Sequence, residues 1–412
     1  MGTKGKEKRI VILTADAGFG HRVAANALAA ALTNLYKDQC VVNILNPLDD
    51  SRVPAFLRDT QADQDRMVRE MPDLYKFGYE ASDAPVPSVM VETALILMLF
   101  EVMNDLIERY QPHVVVTTYP HYQAPVDAVR VIMHKKTSLI TVITDLATVH
   151  RLWFNEKADA CLVPTVAVRN LAIKNGLQPG RVFQTGLPVH PSLTLEKRSK
   201  TDLRTLLGWR NDLPAILVVG SRRVRKIEEI LRVFNHSGIP MQLAIVAGGD
   251  EKLYDRLCAI DWHHPVFLHN FVHNMHELLH AADCIVTKAG GLIVTESLAC
   301  GLPMLLIDVN PGQEVGNAEF VIDGHAGALA DNPLDALEVL YHWLANDGEE
   351  LRKIAVHAHK IGNPRAAFIA AQKIWEYAQL EVPQPIERGI LQSIERSKLI
   401  EILRQNGIRL FP

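Results

Sequence analysis

The chain has 412 residues, of which 48% are hydrophobic and 22% are charged, so it is long enough for two α/β domains. Its formal net charge of −4 gives no overall attraction for nucleic acid. The longest apolar run, residues 94–100, is far shorter than the ~20 residues that a membrane-spanning helix needs.

Short, apolar, β-branched segments alternate with helical patterns along the chain, and these segments predict strands. In the first half they are residues 9–16, 39–46, 113–119, 138–145, 160–164 and 181–185. In the second half they are residues 215–220, 242–247, 266–270, 283–287 and 304–309. Because strands this apolar must be covered on both faces, they indicate parallel sheets wound with helices.

The predicted fold class is α/β, with two doubly wound, Rossmann-like domains that face a central cleft. The first domain is predicted at residues 1–190 and the second at 202–361, joined by a linker at 191–201. Helices at 362–412 are predicted to return to the first domain. Ligands of such sheets bind beyond the carboxyl ends of the strands, and three polar motifs fall there.

The first motif, Asp16-Ala-Gly-Phe-Gly-His21-Arg22, follows the first strand and precedes a helix predicted at residues 23–35. Glycines let backbone N–H groups approach a ligand, and a helix N-terminus favours negative charge. The alternative for the glycines alone is a purely structural turn. His21 adds a titratable imidazole placed for proton transfer.

The second motif is Thr-Lys288-Ala-Gly290-Gly, followed by a helix with Glu296. Glu296 can accept hydrogen bonds from both hydroxyls of a ribose; the alternative is an exposed first-turn glutamate that complements the helix dipole. The third motif, residues 308–317, carries Gln313, Glu314 and Asn317 after a strand. These polar groups suit sugar hydroxyls or, alternatively, a turn and helix cap.

At these motifs the chain resembles the monogalactosyldiacylglycerol synthase and processive diacylglycerol glucosyltransferase family. It is more distantly similar to the transferase that adds N-acetylglucosamine to the peptidoglycan lipid precursor. The resemblance rests on residues 18–22, 142–146, 153–154, 186–189, 287–290, 301–303, 312–314 and 316–317, in family order. It implies the GT-B fold and transfer of galactose or glucose, with inversion, from a UDP-sugar to a glycerolipid such as diacylglycerol.

Carried over by position, the resemblance implies His21 and Asp145 as catalytic residues, with His21 favoured as the base. The donor-binding residues it implies are Gly20, Gly220, Ser221, Phe271, Val272, Lys288, Gly290, Glu296, Gln313, Glu314 and Asn317. Gly18, His150 and Trp153 are implied on the acceptor side. No cofactor and no metal ion are expected. His276 and His280 have the i, i+4 spacing of a metal pair, but no third ligand follows at a recognisable spacing.

The sequence departs from the family pattern in the loop after residue 220, where arginines stand, and at Gly291-Leu292. Residues 53–102 show little similarity. Within them the stretch 53–79, which includes Phe56 and Leu57, is predicted to contact lipid, whereas the pattern of 89–110 favours a core helix. We expect a cytoplasmic protein, peripherally attached to the inner face of the membrane. The alternatives are a transferase with a soluble acceptor, a UDP-sugar 2-epimerase, and a binding module without turnover.

Overall fold

A computed structural model of the chain describes residues 7–16, 19–58, 85–221, 224, 226–310 and 314–380. These residues divide into two compact units. The first consists of the described residues up to Asp145, of Val149–His190 and of those from Ala366 onward. The second consists of Leu146–Thr148 and of the described residues in Pro191–Arg365.

The described part of the first unit contains a six-stranded parallel sheet with the strand order β2-β1-β3-β4-β5-β6. The strands are β1 (Lys8–Leu13), β2 (Cys40–Leu45), β3 (Val114–Thr117), β4 (Ser138–Val142), β5 (Ala160–Val163) and β6 (Val182–Gln184). The strand order reverses between β1 and β3, which pair in parallel with Leu13 opposite Thr117. The carboxyl ends of these two strands therefore border a crevice of the kind in which open α/β sheets bind ligands.

Helices cover both faces of this sheet. They are α1 (Phe19–Tyr36), α2 (Pro85–Tyr110), α3 (Gln123–Ile132), α4 (Val166–Lys174) and, from the end of the described chain, α13 (Ala366–Gln379). On one face, Leu28 of α1 and Ile374 of α13 are fully buried in one core with β1 and β3. On the other, Leu99 of α2 and Val126 of α3 are fully buried in a second core. The prediction of a core helix at 89–110 is confirmed.

Leu57, which was predicted to contact lipid, is only 9% exposed and packs in the same core as α2. That prediction is wrong for Leu57, because a large apolar side chain gains more by entering a nearby core than by staying in water. Phe56 beside it is 61% exposed. The rest of the lipid-contacting stretch, from residue 59, lies outside the described residues.

Replacement of Leu99 by alanine is expected to lower the free energy of unfolding by about 2–5 kcal/mol, because the lost side chain leaves a cavity in a fully buried position. Met90 on the same helix is 69% exposed, so Met90→Ala is the matched control and should cost less than about 0.5 kcal/mol. Urea titration of both variants measures the difference. Equal losses would contradict the assigned face of α2.

The described part of the second unit contains another six-stranded parallel sheet, in the order β12-β11-β10-β7-β8-β9. The strands are β7 (Ala215–Val219), β8 (Gln242–Val246), β9 (Val266–His269), β10 (Cys284–Lys288), β11 (Met304–Asp308) and β12 (Gly327–Leu329). All strands predicted from the sequence form, whereas β12 was not predicted. The order reverses between β7 and β10, whose carboxyl ends border the second crevice.

The helices of the second unit are α5 (Ser192–Leu195), α6 (Lys200–Leu207), α7 (Ile227–Asn235), α8 (Glu251–Cys258), α9 (Met275–Ala281), α10 (Gly291–Ala299), α11 (Val315–Asp323) and α12 (Pro333–Ile361). The segment predicted as a linker, 191–201, groups with this unit and contains α5. Ser199 and Asp202 form a capping box that starts α6 there. Among the helices described, none is long and apolar enough to cross a membrane.

Candidate active site

In the first unit, predicted site residues meet beyond the carboxyl ends of β1, β3 and β4. His21 lies in the first turn of α1, which begins at Phe19 and therefore earlier than predicted. The hydroxyl of Thr118, just after β3, donates a 3.1 Å hydrogen bond to the carbonyl of His21. The main-chain N–H of Thr118 in turn donates to Leu13 at the end of β1. The start of α1 is thereby fixed to the two strands at the crevice.

The imidazole of His21 is held in one tautomer. Its Nδ1 lies 2.7 Å from the carbonyl oxygen of Thr118 and 2.8 Å from the hydroxyl oxygen of Thr144. Because a carbonyl oxygen can only accept, Nδ1 carries the hydrogen and Nε2 keeps its lone pair. Burial lowers the pKa of His21 to about 4, although the bond to Thr118 acts in the opposite direction. At neutral pH the ring is therefore uncharged and able to take up a proton at Nε2.

Asp145 follows β4 and is held by the indole of Trp153. The Nε1–H of Trp153 donates a 2.7 Å hydrogen bond to Oδ2 of Asp145. Burial raises the pKa of Asp145 to about 6, while this hydrogen bond lowers it. The Trp153 ring is 1% exposed and its centroid lies 6.0 Å from that of His21. Trp153 therefore lies against both predicted catalytic residues.

Two more histidines adjoin this group. His121, which was not predicted, packs edge-on against Tyr119 with ring centroids 4.6 Å apart. Burial, and to a smaller extent the charges of His150 and His21, lowers its pKa to about 4. His150, predicted on the acceptor side, is buried, and its Nδ1 accepts a 3.2 Å hydrogen bond from the N–H of Leu152. It therefore caps the turn that carries Trp153.

The remaining predicted residues of this end of the chain are glycines. Gly20 lies in the first turn of α1, and a Cβ atom added there would meet nothing within 4 Å. Gly18 lies outside the described residues, as does Gln313 of the second unit.

Arg22 pairs through two nitrogens with the carboxylate of Asp16, at 2.7 and 2.8 Å, and so holds the pKa of Asp16 below its usual value.

In the second unit, Lys288 at the end of β10 forms an ion pair with Glu314. Glu314 is 8% exposed, and its Oε2 accepts a 3.0 Å hydrogen bond from the N–H of Asn310. The ammonium of Lys288 lies 3.4 Å from where a Cβ of Gly290 would stand. A positive charge therefore lies over the glycine turn that begins α10.

The N-terminus of α10 begins at the glycine turn. Gly290 is its N-cap and has no side chain to cap the first N–H groups of the helix. Asn317 of α11 donates a 2.9 Å hydrogen bond to the carbonyl of Ala289. Its own Oδ1 is buried and has no hydrogen-bond partner in the described part of the chain. Within the described residues, a helix N-terminus without an N-cap side chain, the ammonium of Lys288 and the unpaired amide oxygen of Asn317 thus lie around one turn. A helix N-terminus and an ammonium favour a bound anion, and an amide oxygen can accept from a hydroxyl beside it.

Glu296 lies in the second turn of α10 and is half-buried. Burial raises its pKa from 4.5 to about 7. The alternative of an exposed first-turn glutamate that complements the helix dipole is therefore wrong. A desolvated carboxylate with a raised pKa is typical of a group that a ligand partners.

The other predicted donor residues lie at the ends of β7 and β9. Gly220 and Ser221 directly follow β7, and a Cβ on Gly248 would lie 2.3 Å from the carbonyl oxygen of Gly220. Only glycine therefore fits at position 248, where φ is +69°. Phe271 and Val272 follow β9, and the Phe271 ring is 54% exposed.

The described residues contain one group whose geometry could hold a metal ion, namely Glu196, His276 and Glu277. Arg198 already pairs with both of these carboxylates. His280, the second histidine of the i, i+4 pair, instead lies 2.9 Å from the carbonyl oxygen of Leu193. The two histidines are therefore not brought to one site.

The chain matches two protein-family models, monogalactosyldiacylglycerol synthase over residues 21–189 and glycosyl transferases group 1 over 199–360. It is 32% identical over 371 residues to the chloroplast monogalactosyldiacylglycerol synthase of Spinacia oleracea, covering 88% of this chain and 71% of that one. The chain belongs to the monogalactosyldiacylglycerol synthase family. It is a glycosyltransferase of the glycolipid-synthase type, and the resemblance found in its motifs is confirmed.

Solved structures show the same architecture. MurG of Acinetobacter baumannii is 15% identical, with a TM-score of 0.59 over 90% of this chain and 100% of that one. The Anabaena protein Alr3699/HepE, solved in complex with UDP-glucose, is 14% identical, with a TM-score of 0.53 over 89% and 98% of the two chains. The two parallel-sheet domains confirm the predicted GT-B fold.

Two contacts of the site have no clear sequence signal. Thr118 acts on His21 through its main-chain carbonyl, which any residue would supply. The pair of Lys288 with Glu314 joins positions 26 residues apart. Thr144, by contrast, stands beside Asp145 in a stretch that resembles the family, and this resemblance is a sequence signal for its position.

Proposed function

We propose that this enzyme transfers a hexose from a UDP-sugar to the free hydroxyl of diacylglycerol, with inversion at the anomeric carbon. The observation that carries the proposal is the uncharged His21 with a fixed tautomer, in a chain of the monogalactosyldiacylglycerol synthase family. The relatives' name specifies galactose and diacylglycerol, and a solved neighbour was crystallised with UDP-glucose.

On the acceptor side, Nε2 of His21 takes the proton of the acceptor hydroxyl as that oxygen attacks the anomeric carbon. The new carbon–oxygen bond forms while the bond to the diphosphate breaks, and UDP leaves. The hydrogen bond from Nδ1 to Thr118 supports the imidazolium that results, because it strengthens when the ring is charged. Asp145, held by Trp153, supplies a carboxylate that orients the acceptor.

On the donor side, the main-chain N–H groups at the N-terminus of α10 and the ammonium of Lys288 stabilise the diphosphate of the leaving group without a metal ion. Glu296 accepts the ribose hydroxyls. Glu314 and Asn317 face the same turn, and their oxygens suit the hydroxyls of the hexose. Both oxygens of Glu314 already accept hydrogen bonds in this structure, one from Lys288 and one from Asn310. A hydroxyl of the hexose must therefore replace one of these two donors.

The acceptor lies in a bilayer, so the proposed enzyme binds a membrane surface peripherally. Phe56 and Met90 are the exposed apolar side chains at the two ends of the undescribed segment 59–84, at 61% and 69%. Arg58 stands two residues from Phe56 in sequence and adds positive charge suited to lipid phosphates, whereas Arg52 is already paired with Asp50 and Asp105.

The test is UDP release by the purified enzyme from UDP-galactose and UDP-glucose, with and without vesicles that contain diacylglycerol. We expect release that depends on the lipid and is faster with one of the two donors. Release that proceeds equally without lipid would reject diacylglycerol as the acceptor. UDP formation without any glycolipid product would reject transfer altogether.

A further inference from the structure

Gln123, the first residue of α3, forms hydrogen bonds through both the oxygen and the nitrogen of its buried side-chain amide. They connect α3 with β4 and with the turn at residues 150–153. It is 1% exposed. Its Oε1 accepts a 2.7 Å hydrogen bond from the hydroxyl of Thr141 in β4. Its Nε2 donates to the carbonyls of Leu152, at 3.0 Å, and of Trp153, at 3.3 Å.

These bonds act on the turn at residues 150–153. His150 caps this turn from one end, and Gln123 binds its main-chain carbonyls from the sheet side. The turn carries Trp153, whose indole N–H lies 2.7 Å from Asp145. A chain of direct hydrogen bonds therefore runs from β4 through Gln123 and the turn back to the carboxylate that follows β4.

We propose that Gln123 is a positioning residue that holds the 150–153 turn in place, so that the indole N–H of Trp153 stays on the carboxylate of Asp145. The hydrogen bonds of Gln123 in the described part of the chain do not reach His21, so Gln123 acts through Trp153. A buried polar group is costly unless it is fully paired, and the amide of Gln123 is paired only in the arrangement that ties the 150–153 turn to β4.

The pKa of Asp145 reports whether the indole N–H of Trp153 is in place. Its pKa, about 6, is raised by burial and lowered by the Trp153 hydrogen bond, so a displaced indole raises it further. The described titratable groups near Trp153 and Asp145 include His21, His121 and His150, and the charged Arg151 lies in the same turn. The first two have pKa values of about 4, so they stay neutral while Asp145 titrates.

The first measurement is the NMR titration of the Trp153 indole N–H in the intact protein without substrate, with Trp153→Phe to assign its signal among the five tryptophans. In the wild type this signal should titrate with a midpoint near pH 6. In Gln123→Met, which keeps the volume and loses the amide, we expect the midpoint to rise by at least half a pH unit. An unchanged midpoint in a folded Gln123→Met protein overturns the proposal.

Two further variants keep the test decisive. If Gln123→Met does not fold, Thr141→Val removes only the hydroxyl that anchors Gln123 and should raise the midpoint by a smaller amount; no change overturns the proposal. Gln184→Met is the matched control, because Gln184 is exposed at the end of β6, and it should leave the titration unchanged.

The kinetic consequence rests on the proposed function, whereas the indole titration does not. We expect Gln123→Met and Trp153→Phe each to lower kcat about tenfold, with KM for the donor within about twofold, and the double variant to lose no more than the worse single one. Losses that multiply in the double variant would show that Gln123 acts independently of Trp153. A wild type inactive on UDP-hexoses and diacylglycerol rejects the proposed function and leaves the NMR result standing.

Discussion

His21→Ala is expected to lower kcat by about 10²–10⁴-fold, the usual contribution of a general base, while UDP binds within about twofold of the wild-type affinity. The reason is that Nε2 of His21 carries the available lone pair, whereas its Nδ1 is committed to Thr118. Steady-state kinetics with saturating lipid and a separate UDP-binding measurement distinguish the two effects. His342→Ala is the control, because the side chain of His342 is 66% exposed in α12 of the other unit.

The pH profile separates His21 from Asp145. With a pKa of about 4, His21 stays deprotonated through the neutral range, and its protonation would remove activity only at lower pH. Asp145, with a pKa of about 6, loses its charge as the pH falls from 7 to 5. An acid limb near pH 6 that disappears in Asp145→Asn would assign that limb to Asp145. Unchanged turnover in His21→Ala would remove His21 from the mechanism.

The sheets could be predicted from the sequence because parallel strands buried on both faces leave long apolar, β-branched runs. The first sheet shows this in β3, where Val114, Val115 and Val116 are all buried. β12 was missed because Gly-Ala-Leu at 327–329 has no β-branched residue. A Cβ at Gly327 would lie 2.1 Å from the carbonyl oxygen of Met304, so this close approach of the backbone requires glycine. A β-branched residue, the usual sign of a buried strand, cannot stand at that position.

The positions of the site residues could be predicted, whereas their partners could not. His21 and Asp145 follow strands, and their place at one edge of the sheet results from the parallel topology. Their hydrogen bonds to Thr118 and Trp153 depend on how particular turns fold back on the sheet. Gln123 gave no signal, because a glutamine in the first turn of a helix is ordinarily a solvated residue.

Glu296→Gln is expected to raise the Kd for UDP about 10- to 100-fold, since a charge-assisted hydrogen bond contributes about 1.5–3 kcal/mol and a ribose offers two hydroxyls. In the wild type, UDP affinity should fall as the pH drops below 7, because the carboxylate, with a pKa of about 7, then becomes protonated. The glutamine variant should lack this dependence. Isothermal titration at pH 6 and pH 8 measures both. The control Glu319→Gln, exposed on α11, should bind UDP normally.

Glu296→Gln should weaken UDP binding and yet make the unliganded protein more stable. A loss of affinity together with a gain of stability would identify Glu296 as a binding residue. Because its pKa rises from 4.5 to about 7 on folding, ionisation destabilises the fold increasingly between those pH values and fully above pH 7. Glu296→Gln should therefore raise Tm at pH 8 and leave it nearly unchanged at pH 4.5. A lower Tm at pH 8 together with weaker UDP binding would instead mean that Glu296 stabilises the fold. A half-buried carboxylate whose ionisation costs the fold stability is expected where a ligand supplies its hydrogen bonds.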